Sequence, residues 1–114
     1  MNTYERVKKQ EINEDINFFD ITRDEYSRLR RSYTLHRWHA IHRGIDWLFT
    51  FRSWMDFWID SGVLDRRGRG KDDYVMARFL DLGPYSPDNV RAITNWENSL
   101  EGKNFPWMRQ ENVL

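Results

Sequence analysis

The sequence predicts an α+β fold in which two lead-in helices are followed by a small ββα unit. Three observations carry this. Apolar residues recur at helical spacing twice between residues 22 and 62. Two short β-prone runs, "YVMARFL" and "VRAI", flank the turn-rich "DLGPYSPDN". A threonine at position 94 then stands ahead of the short polar run "NWENSLE", as a helix cap does.

In chain order, residues 1–20 read as an N-terminal arm, because the polar "KKQEINEDIN" offers no apolar periodicity and only "FFD" could dock. Thr22 and Glu25 have the spacing of a capping box. Tyr26, Leu29, Tyr33, His36 and Ala40 follow at intervals of three and four, one face of a helix that Gly44 is placed to end. "IDWLFT" is too short for a helix and reads as an extended connector. Thr50 is placed to cap a second helix. Its stripe of Phe51, Trp54, Met55, Trp58 and Ile59 has core spacing, and Gly62 stops it. "LDRRGRGKDD" reads as an exposed loop outside the core, in which Asp72 and Asp73 are solvated acids. Gly102 is placed to close the last helix, and Pro106 breaks the tail. The predicted organisation is an arm (1–20), a single domain (21–105) with its ββα core at about 73–102, and a tail (106–114).

At 114 residues the chain can bury only a modest core, so 6 Trp, 7 Phe and 5 Tyr must supply much of it. No cysteine is present, which excludes a disulfide framework and a thiolate metal site and fits a reducing cytoplasm. The first 20 residues are charged and lack an apolar core segment, so no signal peptide is expected, and no run is long and apolar enough to span a membrane. Net charge is zero, but it is unevenly placed. Residues 21–71 carry 11 basic and 6 acidic side chains, net +5, against net −2 before them and net −3 after. The basic stretch is rich in arginine, which suits bidentate phosphate contact and stacking on bases. A helix face solvated by charge has the same composition.

The segment "YVMARFLDLGPYSPDNVRAITNWEN" (74–98) resembles the core of the HNH-type ββα-metal endonucleases, in particular the small divergent HNH-like proteins of bacteriophage genomes. "HRGIDWLFTFRSWMDFWIDSG" resembles the helical lead-in of such proteins, and the resemblance spans roughly residues 36–102. It implies a divalent metal that grips the scissile phosphate, a histidine general base on the first strand with a metal ligand beside it, a loop asparagine that orients the histidine, and a helix residue that completes the metal shell. By position, Asn89 matches the loop asparagine and Asn98 the helix residue, while Arg78 stands at the general base and Ala77 at the adjacent ligand. Alanine has no donor atom, and a guanidinium neither accepts a proton near neutral pH nor tolerates a nearby divalent cation. On this alignment the usual metal site is lost.

Two replacements suggest themselves. Asp81, three residues past Arg78, is placed to offer a carboxylate, so Asn98 and Asp81 are the candidate metal ligands. His36, His39 and His42 fall on an arc of about 120° of the first helix; they form either a relocated site or a partly buried histidine followed by two exposed ones. Arg78 either clamps a phosphate where the metal acted or pairs with Asp81 or Glu97 to hold the unit together. Arg66, Arg67, Arg69 and Lys71, with Gly68 and Gly70 between them, form the nucleic-acid footprint, extended by Arg28, Arg30, Arg31, Arg37 and Arg43; the alternative is a mobile solubilising loop.

The function expected from these readings is nucleic-acid binding by an HNH-like protein of phage or mobile-element type, with DNA as partner and nuclease activity lost. One alternative is a protein-binding inhibitor of a host or defence factor, anchored by tryptophans. Another is an active endonuclease with relocated ligands, which needs a divalent metal. The expected location is the cytoplasm, the host's if the gene is phage-borne.

Overall fold

A computed structural model describes residues 1–104 and bears out the α+β class. It holds four helices, α1 (Thr3–Phe19), α2 (Arg23–His42), α3 (Phe51–Ser61) and α4 (Asn95–Asn104), and two strands, β1 (Tyr74–Arg78) and β2 (Val90–Thr94). The chain divides into two compact units, Met1–His36 and Arg37–Leu114, with the boundary inside α2. The expected tail from residue 106 lies outside the described residues. Among the described residues no helix is long and apolar enough to cross a membrane.

In the first unit, the segment expected as an arm is helix α1. Its periodic signal is weak: Ile12, Asp15, Ile16 and Phe19 fall at helical spacing and are half-buried, while no residue of α1 is fully buried. Local terms support it. The Asn2 side chain accepts the Glu5 N–H at 2.8 Å, Gln10 donates to Glu14 four residues on, and Asp20 in the left-handed region (φ 52°) closes the C-terminus. Helix α2 starts on the capping box read from the sequence: Thr22 Oγ1 accepts the Glu25 N–H at 3.1 Å, and Glu25 accepts the Thr22 N–H at 3.0 Å. Those hydrogen bonds hold the Glu25 carboxyl below the usual carboxylate range. Tyr26, Leu29, Tyr33 and Ala40 of the predicted face are buried, while His36 is half-buried.

In the second unit, Gly44 (φ 72°) and Gly62 (φ 75°) end α2 and α3 as expected. Thr50 and Ser53 form a complete capping box on α3. Phe51, Trp54, Met55 and Trp58 of its stripe are buried, with Trp54 and Met55 at the centre of the core. Ile59 departs from the stripe and is exposed, because the narrow buried arc ends one position earlier. The connector 45–50 is extended as expected: Trp47 bridges Tyr85, with Leu48 N–H bonded to Tyr85 O at 2.8 Å and Tyr85 N–H to Asp46 O at 2.9 Å.

Strands β1 and β2 pair antiparallel in the register Tyr74↔Thr94, Met76↔Ala92 and Arg78↔Val90. The chain passes straight from β2 into α4, and Thr94 and Glu97 make a reciprocal capping box there. Helix α4 packs against both strands, which completes a ββα unit. Gly102 does not close it. The helix runs on to Asn104, since one interior glycine weakens a helix by about 1 kcal/mol without stopping it.

Candidate nucleic-acid interface and the ββα unit

The loop between the strands is held from inside. Asn89 Nδ2 donates to Leu82 O and to Pro84 O, both at 2.8 Å, while the Asn89 carbonyl accepts the Phe79 N–H at 3.2 Å. Asn89 therefore shapes the loop, a structural task that needs an amide donor and gives it no contact with a reacting group.

Arg78 is built into the same loop. Its side chain is only 8 % exposed. Nη1 donates to Gly83 O at 2.7 Å, Nη2 to Asp81 Oδ1 at 3.1 Å, and the guanidinium lies 5.4 Å from the Tyr85 ring centroid. Of the two readings of Arg78, the geometry favours the pairing one, with Asp81 and not Glu97 as partner. Glu97 is taken up by the α4 cap. The carboxylate of Asp81 is thus already neutralised by a cation at 3.1 Å, a poor start for a divalent ligand. The open cleft beside it, of about 610 Å³, is lined by Arg43 and Arg78 but also by Asp46 and Asp81. Mixed charge of this kind gives no net pull on phosphate.

On the other face of the hairpin, Ala77 pairs across the strands with Arg91. Arg91 forms an ion pair with Glu101 of α4, and its guanidinium lies 5.7 Å from the Phe79 ring centroid. Asn98 is half-buried on α4, one turn before Glu101 and on the same side of the helix. Ala77 therefore looks across at an engaged cation. The donors at hand (an amide at Asn98, a paired carboxylate at Asp81, none at Ala77) together with two arginines do not fit a divalent metal site. Among the described residues, no group of three or more His, Asp or Glu side chains comes together to hold a metal ion. The three helix histidines do not assemble one: His39 and His42 are exposed, and His42 stacks on Trp38 at 3.7 Å between ring centroids with Nδ1 2.8 Å from Trp38 O. Arg91 and Glu101 were not legible as a pair in the sequence, because they lie ten residues apart across a strand and a helix.

The basic loop 64–73 is ordered. Asn95 Nδ2 donates to Gly68 O at 3.0 Å and to Gly70 O at 2.7 Å, the Trp96 N–H bonds Lys71 O at 2.9 Å, and Arg67 bridges Tyr74. Gly68 and Gly70 do not open the backbone to phosphate. They wrap the Asp73 carboxylate, which accepts the Gly70 N–H at 2.9 Å; a Cβ at Gly68 would run into that carboxylate, and one at Gly70 would come within 3.0 Å of it. Asp73 is thus an internal anchor and not a solvated acid, while Asp72 is exposed as expected.

Arg67 also departs from expectation. Its guanidinium lies 5.2 Å from the Trp54 ring centroid and 5.6 Å from that of Trp58, and Nε donates to Leu64 O at 3.0 Å. Burial pulls its pKa down from the ordinary arginine value, and Asp65 partly offsets the pull. Arg67 is half-buried against the core, so removing it together with Arg66 and Arg69 is expected to destabilise the fold as well as strip charge. Arg66, lying 5.0 Å from the Tyr74 ring centroid, and Arg69 and Lys71 are the exposed cations of the loop. Comparison of the chain with family models, with curated proteins and with solved structures gives no match in any of the three.

Proposed function

We propose that this protein binds nucleic acid through Arg66, Arg69 and Lys71, and that its ββα unit is an HNH-like scaffold without metal-dependent cleavage. The observation that carries the reading is the fixing of the basic loop to the hairpin and α4 by Asn95 and the Trp96 N–H, which presents exposed cations from a rigid support. Two exposed acids, Asp65 and Asp72, share the loop, so the attraction is local and moderate.

Counterion release makes such binding fall steeply with salt, by a slope of about 0.9 per neutralised phosphate in a log–log plot. Replacing Arg66, Arg69 and Lys71 with alanine is expected to weaken binding to all sequences alike and to flatten that slope. Fluorescence anisotropy on labelled DNA at 50 and 200 mM salt measures both. Absence of binding at the lower salt would overturn the reading.

Plasmid incubated with magnesium, manganese or zinc is expected to stay intact, because Ala77 and Arg78 supply neither ligand nor base. Metal-dependent nicking that disappears on Asn98→Ala would contradict this, and nicking that disappears on His39→Ala or His42→Ala would identify the helix-borne site.

A second reading, capture of a protein partner, is favoured by Trp38, Ile41 and Leu48, which are large, apolar and exposed in the second unit.

A further inference from the structure

Trp96 is 52 % exposed at the first turn of α4, and its backbone N–H is bonded to the carbonyl of Lys71, one of the three exposed loop cations. Trp54 and Trp58 are buried, Trp47 is half-buried and the exposed Trp38 stacks on His42, so neither core packing nor, among the described residues, a contact with another ring accounts for the Trp96 ring. The helix start is held independently of the indole: the Thr94–Glu97 capping box closes it, and Asn95 ties it to Gly68 and Gly70. An exposed indole and an exposed lysine thereby stand on backbone segments that are bonded to each other.

From this juxtaposition we infer that Trp96 is a stacking platform for an unpaired nucleobase, with Arg69 and Lys71 taking the adjoining phosphates, so that the preferred ligand is single-stranded nucleic acid. The inference rests on the nucleic-acid reading above and adds the class of ligand. In a duplex both faces of each base are already covered by neighbours, and presenting one to Trp96 would require extrusion at a cost of a few kcal/mol. A single strand offers free faces. Stacking on an aromatic side chain tolerates any base, because every base has a π face. The pairing of exposed ring and cations therefore predicts a preference for strand state without a preference for sequence.

The test is anisotropy with a labelled oligothymidine and with a duplex of equal length, using the full chain. The wild-type protein is expected to bind the single strand more tightly. Trp96→Ala is expected to lower single-strand affinity about tenfold while leaving duplex affinity within twofold, and Trp96→Phe to restore most of the loss. Equal losses on both ligands, or none on either, would overturn the inference and leave the nucleic-acid reading standing. Failure of the wild-type protein to bind either ligand at low salt would overturn both. Because the indole is half in solvent, the folded fraction of each variant, checked by circular dichroism, is expected to match wild type.

Discussion

Replacing Asn89 with alanine is expected to destabilise the second unit by about 2–3 kcal/mol, since two carbonyls that share one amide donor lose it together. The loop that Asn89 holds is a demanding one. Leu80 (φ 58°) and Asp81 (φ 57°) stand in the left-handed region, where non-glycine residues cost on the order of 1 kcal/mol or more each. Such a backbone persists only when fixed from several sides, and Asn89 and Arg78 are the two groups that reach its carbonyls with side-chain donors. Asn89→Asp sharpens the test. It keeps the size but offers a carboxylate with no donor to the carbonyls of Leu82 and Pro84, so at neutral pH it is expected to be at least as harmful as alanine. Urea denaturation followed by tryptophan fluorescence measures both variants. Losses below about 0.5 kcal/mol, the range of ordinary surface changes, would show that the loop does not depend on this amide.

Arg67→Ala is expected to cost a comparable amount, about 2–3 kcal/mol, through the lost hydrogen bond to Leu64 O and the lost cation–π contacts with two indoles. Lysine is not expected to rescue it: an ammonium lacks the Nε donor that bonds Leu64 O, and it hydrates more strongly than the guanidinium held near the Trp54 and Trp58 rings. Arg69→Ala, which removes an exposed cation, is expected to stay within about 0.5 kcal/mol of wild type. Thermal melts of the three variants separate the two roles that arginine plays within one short loop. If Arg67→Ala melts with Arg69→Ala, Arg67 is a surface cation and its place against the core is wrong. This contrast also controls the binding experiment, since a DNA-binding loss on Arg67→Ala would mix unfolding with the loss of a phosphate contact.

The parts of the fold that depend on short-range chemistry were legible in the sequence. Thr22 with Glu25, Thr50 and Gly62 each act within four residues, and the α3 stripe announces its buried face by spacing alone. Helix α1 was missed because its stripe is short and only half-buried: Ile12, Ile16 and Phe19 have helical spacing, but they sit in a strongly polar run and none of them is fully buried. The candidate site was legible in its residues but not in their partners. Asp81, three residues on, was one of two partners open to Arg78 in the sequence, beside Glu97 and a phosphate-clamping role, and the structure selects it. Arg91 with Glu101, Asp73 with the two glycines, and Arg67 with two tryptophans depend on the chain returning to itself, and composition gives no hint of which cation turns inward. "RRGRGK" reads as four equivalent charges, yet one of them packs against the core and two of its glycines enclose an acid.

The Asn95 link also sets an order of assembly. Asn95 is the residue after the last strand pair, Tyr74↔Thr94, and it reaches back 27 and 25 residues to the carbonyls of Gly68 and Gly70. The strand pairs nearest the turn close much shorter loops, down to Arg78↔Val90, and shorter closures lose less chain entropy. Loop-closure entropy therefore favours zipping from the turn to the open end before Asn95 arrives within reach, an order in which the basic loop is the last part of the unit to become fixed. The pair beside this loop, Tyr74↔Thr94, is the open end of the hairpin, so the geometry of the surface cations is coupled to a strand pair that Arg66 meets at the Tyr74 ring.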